Sequence, residues 1–506
     1  MSEKQYNEGS SIEDSAGSEK FPKTVQEIDS QLPASEQVAE LATKYGINHK
    51  KLMFKIDLCV IPPFCLLYFL AFLDRVNISN AAVYGLSADL KLTGTQYNTA
   101  LTLFFVPYVF FEVFSNYALK LVAPHRWLSG CILAFGAVSI GMGFVQNFGA
   151  LAACRFLLGV FESGSFPALF YILSNFYEKT EAQKRFSGFF SVTCLAGAAG
   201  GAIAYRINDL DGKHGLESWR WIFIIDGIIT VAGALVLYFT IADFPEEARF
   251  LNANERAFLK EKLAIHSGTE SGFEIKINYK DTARCFKDYL IWLPALAYFG
   301  LIIPSYGYAY FAAIIIKQMG YTDVSAQAHS VYPWLAAFGV GNIVSFISDR
   351  FKMRLPFALG MSCMAIAGLA MVLASKVSTT RYAGCFLTAT GLYTAMPLLV
   401  CWTSLNFGGH VRKSVGTAWQ IGFGNIGGII ATFVFLAKDA PIYKPGLSVC
   451  LAFVCFSMLM MVTYFFSVYR LNKVKKSESY VQEWEQLTER EQILAGDKNP
   501  KFTYLY

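Results

Sequence analysis

Charge is scarce in this sequence. Only 16% of its 506 residues are Asp, Glu, Lys or Arg, where a soluble domain carries about 25%. Hydrophobic residues make up 54%, more than one globular core can hide, so a water-soluble fold is disfavoured. Chemical motifs are missing too. There is no GxxxxGK[ST] loop, which removes ATP held in such a loop as an energy source. Neither GxSxG nor HExxH occurs, which disfavours a hydrolase. The six His (His49, His125, His214, His266, His329, His410) never cluster, as a membrane di-iron enzyme would require. The eleven Cys show no CxxC or CxxxxH spacing. Most lie inside apolar runs, so they read as small buried hydrophobes, not as a disulfide framework or zinc site. No cofactor and no metal are expected. The formal net charge of +5 is too mild to suggest a nucleic-acid partner.

What is present is a series of apolar runs separated by short polar breaks. Twelve of them are long enough to cross a hydrocarbon core of about 30 Å. They are expected near 54–73, 98–118, 127–147, 149–174, 187–206, 220–241, 289–315, 328–347, 355–375, 382–403, 415–436 and 446–468. The polar stretch 242–288 divides them six and six. The expected fold is an all-α membrane protein with bundles over 51–241 and 289–469, joined by a cytoplasmic linker and flanked by a disordered tail (1–50) and a second tail (470–506). Residues 1–50 hold no apolar leader. Lys and Arg gather on the side shared by both tails, at Lys50, Lys51, Lys55, Lys184, Arg185, Arg350, Lys352, Arg412, Lys413, Lys473 and Lys475 among others. They are sparser on the opposite side, where Arg75, Lys91, Arg206 and Lys213 are assigned. By the positive-inside rule both termini are cytoplasmic.

Two echoes point to duplicated halves. Pro107 and Asn116 in the second run are spaced like Pro333 and Asn342 in the eighth. The small-residue runs Ala196–Gly201 and Gly422–Gly428 occupy the fifth and eleventh positions, where close helix packing would favour them. A site between two such halves near the midplane is the architecture of many secondary transporters.

Ionisable residues within spans are costly and therefore candidates for function. Here they are Asp74 and Arg75 where the first run meets the outside, Glu112, Arg155, Glu162 and Asp226. Arg155, Gly159 and Glu162 share one helical face at i, i+4 and i+7. Arg155 is expected to hold a substrate carboxylate through its planar fork, and Glu162 to bind and release a proton. The bland alternative is an ion pair that only fixes packing. Arg75 is a second candidate for the anion and Asp74 for the proton, or the two form an interfacial pair. Asn77-Ile78-Ser79 reads as a glycosylation sequon, but too near the membrane to be used. Ser348-Asp349-Arg350-Phe351-Lys352-Met353-Arg354 lies in a short loop. Its Asp349, Arg350 and Arg354 are candidate gating residues that latch neighbouring helix ends. Tyr306, Tyr308, Trp402, Asn406, Trp419, Gln420 and Asn425 are expected to form a pocket for a flat substrate, with helix packing as the alternative for each.

These stretches resemble a known family. Leu73-Asp74-Arg75-Val76-Asn77-Ile78-Ser79-Asn80-Ala81, the segment Arg155–Ala168, and Trp219-Arg220-Trp221-Ile222-Phe223-Ile224-Ile225-Asp226-Gly227 are similar to signatures of spans one, four and six of the anion:cation symporter branch of the major facilitator superfamily. Ser348-Asp349-Arg350 resembles the superfamily's loop motif, whereas the first-half copy, Ser115 to Arg126, lacks its acid-plus-arginine core. Asp497–Phe502 and Gly94–Thr99 are similar to the fungal allantoate-permease group. The resemblance implies proton-driven import of a small organic anion at the plasma membrane by a monomer in the lipid bilayer. Nicotinate is the first expected cargo, and allantoate, ureidosuccinate, pantothenate, biotin and sulfur-containing amino acids or sulfonates are the alternatives. It also implies anion handling by Arg75 and Arg155 and proton coupling by Glu162. A nutrient sensor that keeps the fold is a second reading, disfavoured by the short tails.

Overall fold

The computed structural model describes residues 34–267, 285–487 and 496–506, apart from 178, 352, 409 and 501. It is a helical protein of two six-helix bundles. The first comprises span one (His49–Val83), two (Gln96–Leu121), three (Pro124–Met142), four (Phe148–Glu162 continued by Ser165–Phe176), five (Lys179–Ile207) and six (Ser218–Thr240). The second comprises span seven (Tyr289–Lys317), eight (Asp323–Phe351), nine (Leu355–Ala374), ten (Ser378–Asn406), eleven (His410–Val434) and twelve (Lys444–Val474). Among the described residues, eight of these helices are long and apolar enough to cross a membrane by length and composition alone. Large apolar side chains such as Phe110, Phe114, Phe239, Phe346 and Phe466 face outward. That is costly in water and expected in lipid.

The helix ends follow local chemistry. Asn48, Asn147 and Asp288 each accept a backbone N–H of the turn they precede, satisfying a donor the helix leaves unpaired. Span one runs well past the expected residue 73, because nothing breaks it before Gly85, which takes the left-handed backbone (φ 92°) open to glycine. Asp74 and Arg75 are therefore inside a long helix, not at its outer end, and are buried. Asn77 is buried as well, which rules out the sequon.

The small-residue runs lie in the seams between bundles. A methyl group at Gly197 would strike the Trp334 ring of span eight, and one at Gly201 would meet Ser330. On the other side of the molecule a methyl at Gly428 would strike the Phe105 ring of span two. Span five thus packs on span eight as span eleven packs on span two.

Part of the first tail is ordered against the linker. Ala34–Lys44, assigned to a disordered tail, is a helix whose Val38 and Leu41 are buried in one cluster with Phe258 and Leu259 of the linker helix Ala253–Ser267. Tyr45 Oη donates to Glu261 at 2.6 Å, and Lys55 pairs with Glu255 at 2.8 Å. Burial of these apolar side chains offsets the entropy that would otherwise leave the segment disordered. Residues 1–33, the rest of that expected tail, lie outside the described residues.

Candidate functional site

The site begins with two neighbours in span one. Successive residues on a helix point about 100° apart, so Asp74 and Arg75 serve different sides. Arg75 reaches toward the second bundle. Its guanidinium donates to Glu162 Oε1 of span four and to Tyr306 Oη of span seven. It also lies 5.1 Å from the ring centroid of Phe104, 5.2 Å from Tyr108 and 5.6 Å from Tyr306, an aromatic surround suited to a desolvated cation. Asp74 points back into its own bundle. It accepts from Ser139 Oγ of span three at 3.0 Å and lies 3.5 Å from Arg155 Nη1. Asp226 of span six lies beside Asp74 and the Asn77 side chain.

Arg155 and Glu162 share a face of span four, as the spacing requires, yet each takes its partner from span one. Between them Gly159 brings spans two and four together: a methyl there would collide with the Phe104 carbonyl and sit 2.7 Å from Pro107. Span four breaks at Ser163-Gly164, directly after Glu162, and Gly164 leaves room for Ser115 of span two. All five ionisable groups are buried. Two guanidiniums face three carboxyl groups in surroundings where unpaired charge is expensive.

Arg75 opens onto a central cavity between the bundles. Tyr68, Phe72, Tyr108, Phe190 and Thr193 line it from the first bundle, and Tyr298, Ile302, Ser305, Tyr306, Tyr393, Met396, Pro397 and Asn425 from the second. Of the expected substrate-binding residues, Arg75, Tyr306 and Asn425 are brought together here. The others are placed elsewhere. Arg155 lies behind span one and does not line the cavity. Tyr308 packs edge-on against Trp334 and lines a separate apolar cavity. Gln420 accepts from Thr403 Oγ1 at 2.8 Å in the interface of spans ten and eleven. Trp419 packs against Phe286 and Trp292 at the linker end.

Trp402 and Asn406 hold the second tail. Trp402 Nε1 donates to the Leu505 carbonyl at 2.9 Å, while Asn406 both donates to that carbonyl (3.0 Å) and accepts from the Leu505 N–H (2.7 Å). Asn472 does the same for Tyr504 at 2.9 and 3.0 Å. Arg412 bridges Asp288 and Asp497, and Lys498 reaches Asp288 at 2.9 Å. Burial alone would raise the Asp288 carboxyl, but Arg412 and Lys498 hold it below its ordinary value, whereas at Asp497 burial outweighs Arg412 and raises the carboxyl. Burial pushes the Lys475 ammonium beside it down to about 8. A pairing signal for this tail was absent from the sequence, where Asp497–Phe502 stands out only by its family resemblance.

Asp349 and Arg354 form a 2.5 Å ion pair that closes the turn between spans eight and nine, with Ser348 Oγ donating to the Met353 carbonyl. Arg350 is exposed. The aromatic cavity wall (Tyr68, Phe72, Tyr108, Tyr298, Tyr393) was missed because its residues look like any membrane packing residue until the bundles are assembled.

The two ends of the cavity differ. At the end away from the linker, Asn98 Nδ2 donates to the Thr432 and Phe435 carbonyls at 2.6 and 3.0 Å, and Thr102 meets Thr432 at 2.6 Å. There too Gln327 donates to the Asn80 carbonyl at 3.1 Å and Lys317 to that of Val83 at 2.9 Å. Together with Arg75–Tyr306, these bonds join the two bundles.

Residues 64–432 match the family model described as Major Facilitator Superfamily. The chain belongs to that superfamily. It is similar to the "High-affinity nicotinic acid transporter" of Saccharomyces cerevisiae, 35% identical over 459 residues, covering 90% of this chain and 85% of the relative. It is also 33% identical over 403 residues to the "MFS transporter prlL" of Fungal sp., covering 77% and 80%. Among solved structures, the D-xylose-proton symporter superposes with a TM-score of 0.60 at 13% identity over 81% of this chain and 97% of that one. A bacterial Spinster homologue in an inward-facing conformation gives 0.56 at 15%, over 80% and 95%. At such identities the structures establish the fold alone. This major facilitator protein is thus a multi-pass membrane transporter and not an enzyme.

Proposed function

We propose that this transporter imports a small aromatic carboxylate, nicotinate first, together with a proton. The observation that carries the reading is Arg75, which is paired with a titratable carboxylate while facing the central cavity. A substrate carboxylate and Glu162 compete for the same guanidinium. Protonation of Glu162 frees the Arg75 fork, which then takes the incoming anion bidentately. Loss of the proton returns Glu162 to Arg75 and displaces the anion. Proton and anion thus move together, and neither crosses the dry centre as a bare charge. The aromatic walls suit a flat ring, and the similar yeast protein is named for nicotinic acid.

Arg155 takes a supporting role in this scheme, holding Asp74 and so the angle of span one. With the tails and linker cytoplasmic, the hydrogen-bonded end faces outside, and the Arg75–Glu162 pair is the arrangement that follows release to the interior. The plasma membrane is the natural location for such an importer.

The test is uptake of labelled nicotinate at two pH values in cells lacking their own carrier, with allantoate, ureidosuccinate, pantothenate, biotin and a sulfonate as competitors. Uptake should rise as the outside is acidified. Glu162→Gln, a fixed mimic of the protonated acid, should still exchange internal for external substrate but should not accumulate it against a gradient. Accumulation by Glu162→Gln equal to wild type would remove the proton role. Competition by another anion stronger than that of unlabelled nicotinate would reassign the cargo.

A further inference from the structure

The cavity has a second pole. Asn425 of span eleven lines it with its residue 95% buried, yet its amide makes no hydrogen bond among the described residues. A buried amide without a partner is costly, and this one is not walled into the core: neither of its polar atoms is among those sealed from the cavity without a partner. The neighbouring glycines set its position. A methyl at Gly424 would strike the Tyr298 ring, and one at Gly428 the Phe105 ring of the opposite bundle. The backbone on both sides of Asn425 is therefore pressed into the seam, and its side chain has the cavity in front of it. Tyr298, on the same wall, also makes no hydrogen bond through its hydroxyl among the described residues. Of the other polar side chains of the cavity, Thr193 donates to the Phe190 carbonyl at 2.7 Å, Ser305 to that of Leu301 at 2.7 Å, Tyr393 to that of Ser305 at 3.0 Å, and Tyr306 accepts from Arg75, while Tyr108, whose hydroxyl makes no hydrogen bond among the described residues, stands beside Arg75 at the opposite pole.

We propose that Asn425 is a specificity residue that hydrogen-bonds a polar atom on the ring of the substrate, at the end away from its carboxylate. This deepens the reading above and rests on the carboxylate being held at Arg75. One bundle supplies the cation and the other an uncharged amide. The substrate class is then a flat carboxylate with a hydrogen-bonding atom in or on the ring, remote from the acid group. A pyridine nitrogen meta to the carboxylate fits, accepting from Asn425 Nδ2. Benzoate has no such atom, and in picolinate the nitrogen sits beside the carboxylate, at the Arg75 end. A site built around a hydrogen-bonding group rejects an analogue lacking it more strongly than a purely apolar site does, because the protein's own group is left unpaired. The ligand also bridges the bundles, so its two ends report on both.

The experiment compares inhibition of labelled nicotinate uptake by nicotinate, benzoate and picolinate, in wild type, Asn425→Leu and Tyr298→Phe, with the membrane-resident amount of each protein measured. In wild type, benzoate and picolinate should inhibit at least ~10-fold more weakly than nicotinate. In Asn425→Leu that ratio should fall toward one while benzoate inhibition is kept, because the ring still stacks and Arg75 is untouched. In Tyr298→Phe the ratio should persist. Equal inhibition by benzoate and nicotinate in wild type overturns the proposal without any variant. Collapse of the ratio in Tyr298→Phe, and not in Asn425→Leu, assigns the contact to the tyrosine and overturns the role of Asn425. Should wild type carry one of the other candidate anions in place of nicotinate, the cargo reading fails. The same comparison is then made between that anion and its analogue stripped of the remote polar group, and an unchanged ratio in Asn425→Leu overturns the inference there.

Discussion

The two bundles share a helix plan and divide the chemistry. The first buries five ionisable groups, Asp74, Arg75, Arg155, Glu162 and Asp226, at its centre. The spans of the second carry charge only near their ends, and its face of the cavity is Tyr298, Ser305, Tyr306, Tyr393 and Asn425. The buried titratable groups lie in one half and not in the other. On the function proposed above, binding and coupling are therefore asymmetric, although the packing seams at Gly197–Trp334 and Gly428–Phe105 are paired. Duplication preserves packing, because close helix approach needs only small residues in register. Buried charge is retained only where partners and a use for it exist.

The comparison is open to attack at its charged side first. Arg75→Lys should reduce nicotinate uptake by ~100-fold or more, since an ammonium cannot hold two carboxylate oxygens in a plane. Wild-type kinetics in that variant would move the anion site elsewhere. Arg155→Lys should cost less, ~10-fold at most, and should act on maximal rate more than on apparent substrate affinity, because Arg155 touches Asp74 and not the cavity. A large rise in the Michaelis constant with an unchanged rate would restore it as the carboxylate clamp. On the uncharged side, Tyr306→Phe removes one hydrogen bond to Arg75 and should weaken uptake by ~5- to 10-fold while leaving its pH dependence intact. A shifted pH profile would show that the second bundle takes part in proton coupling after all.

Two smaller effects concern the ends. Asn98→Ala loses both bonds that tie span two to the Thr432 and Phe435 carbonyls, about 1–3 kcal/mol if they are left unpaired. A cysteine placed in the cavity should then react faster with an impermeant reagent added outside, and an unchanged rate would deny Asn98 a part in that seal. Asn472→Ala releases one of the three side chains that clasp the backbone of Tyr504 and Leu505. A fall of a few degrees in thermal stability, with nicotinate affinity unchanged, is expected. A changed affinity would tie the tail to the cavity.

Much was legible in advance. Run lengths, the 242–288 break and the loop cations suffice for twelve spans in two halves, because the bilayer imposes one dominant constraint. The span-four face was legible because Arg155 and Glu162 lie on one helix, where spacing alone determines direction. The pocket was less so. Trp402 and Asn406 carry the same side-chain chemistry as true cavity residues, yet they serve a tail distant in the chain. Spacing cannot relate a helix to a segment about a hundred residues away.

By itself the sequence determined the membrane class, the number of crossings, the duplication and the short inventory of buried charges, since these depend on composition and local periodicity. Only the tertiary structure decided how those charges are shared. Arg75 and not Arg155 faces the cavity, Glu162 belongs to Arg75, and Asp74 turns inward to Arg155. The physical reason is that a buried ion must be paired, while the choice of partner depends on the rotation of one helix against the next, which periodicity within each leaves free.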